Sequence, residues 1–273
     1  MIDAYIQSYI KRTLSLNPKD IELLDKSSRE DYTFLHALAK FTRSPKKIRD
    51  EVVNLLFASR DTTAVTLMWL FYELAAKPAS VRRLRNEIIS AVGIDRLPTP
   101  HDLKNMKFLH QVVNETLRLH PAVPINIRYA VRDTIVYTTS DKVKGRPISV
   151  CKGDAVAFSA LAMQRRDDIY PPVSPSFPPA DVFAPERWDS WTPRPWTYIP
   201  FNGGPRICVG QQFALMEIWY TVTRLLQKFE YIERVNGGGN VEPMSVKAEI
   251  VGSPARDVLI KFREADLSKE MKN

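Results

Sequence analysis

The stretch Phe201-Asn202-Gly203-Gly204-Pro205-Arg206-Ile207-Cys208-Val209-Gly210 decides how the rest of this sequence is interpreted. Two adjacent glycines precede a cysteine, and an apolar run with helical spacing follows it directly. The N–H groups and dipole at a helix amino terminus stabilise a thiolate, which is the form of cysteine that binds metals. Glycine has no Cβ, so the backbone there can approach a flat ligand closely. The stretch therefore predicts a cysteine kept for chemistry at the start of a helix.

Two other side chains of this stretch point to the same ligand chemistry. Arg206 is a permanent cation suited to a carboxylate, and Phe201 can pack against the sulfur and shield it. The alternative is that Cys208 is a buried, inert core residue, as free cysteines often are. The ten-residue context favours the first interpretation. It resembles the haem-binding loop of the cytochrome P-450 family, Phe-x-x-Gly-x-Arg-x-Cys-x-Gly, at every defined position.

This resemblance implies the cofactor and its contacts. Cys208 would be the proximal ligand to the iron of haem b (heme b, iron protoporphyrin IX), and its electron donation would favour cleavage of the O–O bond. Arg128, on a predicted strand, stands where the family often contacts a haem propionate. The residues expected to bind the cofactor are Phe201, Gly203, Arg206, Cys208, Gly210 and Arg128, with Cys208 as the metal ligand.

A second motif lies in a predicted helix, where Glu115 and Arg118 are three residues apart. As an isolated pattern this is an ordinary ion pair that contributes little. It resembles the Glu-x-x-Arg motif of the family, and Pro185–Trp188 resembles the later Pro-Glu-Arg-Phe element, with tryptophan in the last position. The resemblance implies that Glu115, Arg118 and Arg187 form a structural triad that supports the cysteine loop and takes no direct part in catalysis.

A third motif, Ala58–Thr63, lies in the middle of a long predicted helix. An adjacent acid and hydroxyl, Asp61 and Thr62, could relay protons to bound oxygen, although a solvated polar helix face is the simpler interpretation. The motif resembles the oxygen-activation segment of the family, with Ser59 in place of a usual glycine. The resemblance implies that Asp61 and Thr62 are the catalytic proton-delivery pair.

Hydrophobic periodicity and breaker residues predict a mainly α protein with a small β component. We expect a single partial domain over residues 1–273, equivalent to the carboxy-terminal half of the cytochrome P-450 fold. The predicted elements are a long central helix over 45–77, helices over 80–92 and 109–119, a small sheet over 125–160, a proline-rich loop over 171–179, the haem loop over 201–210, a final helix over 210–229, and strand-like pieces near 249–251 and 258–262.

Composition excludes several classes of function. Two cysteines, Cys151 and Cys208, cannot form a disulfide framework, and the four histidines lack the spacing of a zinc site. The net charge is +8, but lysine and arginine are spread along the chain rather than clustered, so no nucleic acid is expected as a partner. No signal peptide is expected at the start of the sequence. The apolar zone over 52–76 contains Arg60, Asp61 and Glu73, which predicts no membrane span.

The resemblance also implies a whole protein of about twice this length, whose missing amino-terminal half would carry a membrane anchor. The chain itself does not fix a location, and the endoplasmic reticulum membrane is expected if that anchor exists. The implied reaction inserts one oxygen atom from O2 into an aliphatic C–H bond of a small hydrophobic substrate. Electrons would come from NADPH through a cytochrome P-450 reductase docked on a basic proximal face.

The segment Met163–Tyr170 most resembles fungal members of the cytochrome P-450 family that hydroxylate n-alkanes and fatty acids, although Gln164 stands where those usually have histidine. Two alternatives remain open. The chain could be a catalytically incompetent truncated fragment that retains the haem motifs, or a non-enzymatic basic helical module that binds acidic partners.

Overall fold

The computed structural model describes residues 2–27, 32–138, 145–175, 177–235 and 244–265. Contacts within the chain divide it into two compact units, Met1–Asp61 and Thr62–Asn273, where the sequence predicted one partial domain. The division falls inside one long helix, Pro45–Leu74.

The first unit is helical. Its helices are α1 (Ile2–Ser15), α2 (Pro18–Ser27), α3 (Phe34–Phe41) and the first part of α4 (Pro45–Leu74). They enclose a small apolar core that contains Ile10, Ile21 and Ile48, each fully buried. Arg43 donates hydrogen bonds to the carbonyls of Leu14 and Leu16 at the end of α1, where main-chain acceptors lack helical partners.

The second unit holds the larger core. Its further helices are α5 (Pro78–Val92), α6 (Pro100–Asn105), α7 (Lys107–Leu119), α8 (Ala160–Met163) and α9 (Gln211–Lys228). Leu84 of α5, Val112 of α7 and Val222 of α9 are completely buried in one cluster, so these three helices pack on one another. The candidate site described below includes residues on α7 and residues directly before α9, and both helices belong to this cluster.

Local sequence explains where these helices end. Helix α4 stops at Leu74, three residues before the predicted end, because residues 75–77 form a tighter turn with bonds from Ala76 N to Glu73 O and from Lys77 N to Leu74 O. Pro78 follows, and a residue before proline avoids the α conformation. Helix α5 ends at Gly93, whose φ of 86° favours glycine.

The strands are short and pair only as antiparallel two-stranded ribbons in the part of the chain that the structure describes. They are β1 (Ile125–Tyr129), β2 (Thr134–Tyr137), β3 (Pro147–Val150), β4 (Ala155–Ser159), β5 (Phe229–Arg234), β6 (Val246–Ala248), β7 (Gly252–Pro254) and β8 (Ile260–Glu264). The pairs are β1 with β4, β2 with β3, β5 with β8 and β6 with β7.

The predicted single sheet over 125–160 was wrong in one respect. The segment between β1 and β4 pairs with itself, so β2 and β3 form a separate hairpin. The predicted final helix was one residue too long at each end, since α9 covers Gln211–Lys228 and Phe229 already begins β5. The mainly α fold with a small β component is confirmed.

The proline-rich loop 171–179 contains no helix or strand in its described residues, 171–175 and 177–179, apart from one isolated bridge between Ser174 and Phe177. Proline lacks a main-chain donor, so such a loop offers mainly carbonyl acceptors to its surroundings.

Among the helices in the described ranges, none has both the length and the apolar character needed to span a membrane.

Candidate haem-binding site

The loop 201–210 places Cys208 directly before α9. A short 3₁₀ turn over Gly204–Arg206 bends the chain, and the main-chain N–H of Cys208 donates back to the carbonyl of Phe201 over 2.9 Å. The carbonyl of Cys208 in turn accepts from Gln211 N, the first residue of α9, over 3.4 Å. The backbone therefore fixes the cysteine at the entrance of the helix.

A close contact explains one glycine of the loop. A Cβ at Gly203 would lie 2.5 Å from Cζ3 of Trp196, so any side chain there would displace the indole ring. A Cβ at Gly210 would lie 3.9 Å from the sulfur of Cys208, which is an ordinary van der Waals distance, so this contact does not require glycine. The sequence predicted glycine for close approach of a ligand, and it missed Trp196 as the neighbour of Gly203.

Cys208 and the two apolar residues that flank it in sequence are exposed. Cys208 is a free, exposed cysteine, Ile207 is 55% exposed and Val209 is 99% exposed. Arg206 is exposed, and no carboxylate pairs with it among the described residues. Phe201 is half-buried and packs on the main hydrophobic cluster. An accessible thiol among apolar side chains, beside an unpaired guanidinium, suits a flat apolar ligand that carries carboxylates.

The metal-binding side chains near the loop suit haem better than a bare metal ion. Within the described ranges, no group of three or more His, Cys, Asp or Glu side chains could hold a bare metal ion. Haem iron needs only one or two protein ligands, because the porphyrin supplies four nitrogens. One accessible cysteine, the apolar surface around it and a free cation therefore fit haem and do not fit a bare ion.

Strand β1 contacts the loop. The side-chain amide of Asn202 donates to Oδ1 of Asn126 on β1 over 3.2 Å. Arg128 lies two residues further on, on the same face of the strand, because side chains alternate along a strand. Its exposed guanidinium donates to the carbonyl of Ile127 and lies 5.7 Å from the ring centre of Phe158. The structure thus brings the face of β1 that carries Arg128 to the loop.

The three residues of the predicted triad meet in a fully buried ion network. Arg118 donates from Nε to Oε2 of Glu115 over 2.8 Å and from Nη2 to Oε1 over 2.9 Å. Arg187 donates from Nε to Oε1 of Glu115 over 2.9 Å, and all three side chains are buried. Burial by itself lowers the pKa of Arg118, but the hydrogen bond and charge of Glu115 reverse this effect and leave it raised.

The network has members that sequence reasoning did not assign. Trp188 Nε1 donates to Oε2 of Glu115 over 3.0 Å, and Ala184 N donates to Oε1 over 2.9 Å. A phenylalanine at position 188 could not make the first of these bonds. The guanidinium groups also donate to carbonyls near the proline-rich loop, Arg118 to Ala180 over 2.6 Å and Arg187 to Pro179 over 2.9 Å.

Comparison with known proteins agrees with this geometry. The sequence profile of the family described as cytochrome P-450 matches residues 2–255 of the chain. The chain belongs to the cytochrome P-450 family. The resemblance carried by the haem loop and the Glu-x-x-Arg motif is therefore confirmed at the level of the family.

Individual relatives are fungal. Cytochrome P-450 monooxygenase pvhE of Talaromyces variabilis is 44% identical over 268 residues, which cover 97% of this chain and 49% of that protein. Cytochrome P-450 52A13 of Debaryomyces hansenii is 41% identical over 84% of this chain and 43% of its own length. Cytochrome P-450 52A1 of Candida tropicalis is 41% identical over 84% and 41%. The chain spans about half the length of these relatives or less.

The predicted proton-delivery pair of this cytochrome P-450 chain lies on α4, and the division between the two units falls between its two residues. Asp61 is exposed and its carboxylate lies 3.8 Å from Nε of Arg60, a weak surface pair. The carbonyl of Thr62 accepts from the hydroxyl of Thr66 over 2.9 Å. Helix α4 runs through Ser59 without a break, and the proton relay stays a prediction.

Asp189 forms a second group of polar contacts between elements, which the sequence did not predict. Its carboxylate accepts from Lys107 Nζ over 2.7 Å, from Gln111 Nε2 over 2.9 Å and from Arg83 Nη2 over 3.4 Å. These bonds connect the 3₁₀ turn that contains Arg187 to α5 and α7. The bonds from Lys107 and Gln111 lower the pKa of Asp189 to about 2.

We expect Asp189→Asn to lose stability in a pH-dependent way. Because the folded-state pKa is depressed, the carboxylate stabilises the fold above its ordinary pKa of about 4, and this contribution disappears as the pH falls towards about 2. The pairs are partly exposed, so the expected loss at neutral pH is only about 1 kcal/mol. Urea unfolding of parent and variant between neutral pH and about pH 3 measures it. A difference that stays constant over this range would contradict the assignment.

Proposed function

We propose that this chain is the haem-carrying part of a haem-thiolate monooxygenase, with Cys208 as the residue that would bind the iron of haem b. The observation that supports this most strongly is the position of the thiol. It is exposed, held by the backbone at the entrance of α9, and flanked in sequence by the exposed apolar residues Ile207 and Val209, and Arg206 nearby has no carboxylate partner among the described residues. Because the chain belongs to the cytochrome P-450 family, we infer that this thiol binds haem iron.

When bound, haem b supplies a redox-active iron at which O2 is activated. The sulfur of Cys208 would bind the iron and donate electron density to it. Arg206 and Arg128 would each hold a carboxylate through charge-assisted hydrogen bonds. Gly210 lies beside the sulfur, and Phe201 anchors the start of the loop on the core. The Glu115–Arg118–Arg187 network would keep the segment before the loop in place.

Asp61 and Thr62 are proposed as the groups that move protons. The hydroxyl of Thr62 would hold a proton and donate it in a hydrogen bond, and the neighbouring carboxylate of Asp61 would exchange protons with solvent, because Asp61 is exposed. Ser59 adds a hydroxyl one turn of helix earlier, at a position where the family usually has glycine.

The proposed reaction consumes a hydrophobic substrate R–H, O2, NADPH and a proton, and yields R–OH, water and NADP⁺. Electrons would reach the site from a cytochrome P-450 reductase docked on a basic face around Cys208. The net charge of +8 and the exposed Arg206 support this docking. We propose an n-alkane or fatty acid as substrate, on the resemblance of Met163–Tyr170, and the endoplasmic reticulum membrane as the location of the whole protein.

The test is turnover of the haem-loaded chain with a purified reductase, NADPH, a long-chain fatty acid and isotopically labelled O2. We expect a hydroxylated product that carries one labelled oxygen atom and depends on the reductase. NADPH consumption without any labelled product, at every substrate offered, would contradict the monooxygenase proposal.

A second candidate, a haem-binding fragment without turnover, is favoured by one observation. Val209, which directly follows Cys208 in sequence, is 99% exposed. Haem uptake without product would support this candidate. Absence of haem uptake would instead favour the non-enzymatic basic module.

A further inference from the structure

Gln164 lies completely buried, and all the hydrogen-bonding atoms of its side chain have partners. Its amide nitrogen donates to the carbonyl of Leu117 over 3.1 Å and to the carbonyl of Arg118 over 3.0 Å. Its amide oxygen accepts from the main-chain N–H of Ile199 over 2.8 Å. A buried amide with two donated bonds and one accepted bond is held in a single orientation.

The two donated bonds cap the end of α7. A helix leaves its last carbonyls without partners, and that of Leu117 would normally accept from the residue four positions later. That residue is Pro121, which has no N–H. Gln164 therefore supplies a donor that the sequence cannot supply locally. Arg165 contributes to the same cap, since its Nη2 donates to the carbonyl of Leu119 over 2.7 Å.

The accepted bond leads to the cysteine loop. The carbonyl of Ile199 accepts from Asn202 N over 2.9 Å, which closes the turn that enters the loop. Phe201, inside that turn, accepts from Cys208 N over 2.9 Å. A continuous series of hydrogen bonds and short backbone segments thus runs from the end of α7, through the side chain of Gln164, to the main chain of Cys208.

We propose that Gln164 is a positioning residue that couples the buried Glu115–Arg118 end of α7 to the Cys208 loop and so sets the position of the sulfur. The coupling itself follows from the contacts of this chain. Its consequence for an iron–sulfur bond rests on the proposed function. The simpler alternative is that Gln164 stabilises the fold as any satisfied buried amide does, without a specific effect on the loop.

The chain offers a matched control in Gln227, which is 2% exposed on α9. Its amide nitrogen donates to the carbonyls of Gly93 over 2.6 Å and Arg96 over 2.9 Å, and its amide oxygen accepts from Arg224 over 2.8 Å. Gln164→Met and Gln227→Met therefore each remove two hydrogen bonds donated to carbonyls and one accepted bond, which comes from a main-chain N–H at Gln164 and from a guanidinium at Gln227. We expect similar losses of stability, while the Cys208 loop responds to the first substitution alone.

Amide hydrogen exchange in haem-free chain is the first readout. We expect the amides of residues 199–208 to exchange about tenfold faster in Gln164→Met than in the parent, because Ile199 N loses its buried acceptor. Gln227→Met should leave these amides at the parent rate. Equal acceleration in both variants, or in neither, would overturn the inference.

The second readout is the reduced, carbon-monoxide difference spectrum of haem-loaded chain. We expect a smaller thiolate-type fraction in Gln164→Met and the parent fraction in Gln227→Met. The parent fraction in both variants would overturn the effect on the iron bond. A parent without thiolate-type signal would overturn the proposed function instead, and hydrogen exchange would then decide the role of Gln164 by itself.

If Gln164→Met does not fold, Gln164→His and Gln227→His replace the pair, since histidine keeps one donor and one acceptor.

Discussion

Replacing Glu115 by alanine is expected to cost about 3–5 kcal/mol of unfolding free energy, because it leaves two buried guanidinium groups without a counter-charge. Arg118 and Arg187 lie in the fold with no exposed side-chain surface, and both bind this carboxylate. Trp188 and Ala184 lose an acceptor at the same time. Since ordinary domains are stable by only about 5–15 kcal/mol, the variant should be largely unfolded or very easily unfolded.

Urea unfolding followed by far-ultraviolet circular dichroism measures this effect. Glu217→Ala is the matched control, because Glu217 is an exposed glutamate on α9 and its loss should change stability by less than about 0.5 kcal/mol. A Glu115→Ala variant that unfolds within about 1 kcal/mol of the parent would show that the buried network does not hold this fold together.

Replacing Cys208 by alanine is expected to remove the bond between protein and haem iron and, with it, product formation. Alanine has no side-chain atom that can bind iron, whereas the sulfur of cysteine can. The alanine keeps the backbone bond to Phe201, because that bond uses the main-chain N–H of residue 208. The loop should therefore persist while its chemistry is lost.

Haem retained per chain after gel filtration, together with product formed with reductase and NADPH, measures this loss. Cys151→Ala is the control, because Cys151 is the other free and exposed cysteine and directly follows β3. We expect parent values for Cys151→Ala. Product formation at the parent rate in Cys208→Ala would contradict the assignment of the ligand.

The sequence predicted the parts of the fold that local chemistry determines. Helix α5 was placed within two residues because Pro78 opens it and Gly93 closes it. Helix α7 was placed because its apolar residues recur at helical spacing up to Pro121. The haem loop was predicted because its glycines, arginine and cysteine lie within ten residues. In each case the deciding residues are close neighbours in sequence.

The sequence could not predict features that depend on contacts between distant residues. Strand β5 was missed because the apolar periodicity of α9 runs directly into Phe229, and only pairing with β8 makes that segment a strand. Helices α1 to α3 were not predicted, although Ile6 and Ile10 have helical spacing, because each is short and stabilised by one shared core.

The candidate site shows the same limit. Glu115, Arg118 and Arg187 were predicted to act together through a family resemblance, and the structure joins them in one network. The role of Gln164 was not predicted, because its three partners are 35 to 47 residues away in sequence. Asp189 was missed for the same reason. The proton relay through Asp61 and Thr62 and the propionate contact of Arg128 stay predictions.

The bond between Cys208 and haem iron is tested most directly by the reduced, carbon-monoxide difference spectrum of the loaded chain. We predict a Soret band shifted to the red, as a thiolate ligand produces, in the parent and in Cys151→Ala, and its loss in Cys208→Ala. A red-shifted band that persists without the sulfur of residue 208 would contradict the account.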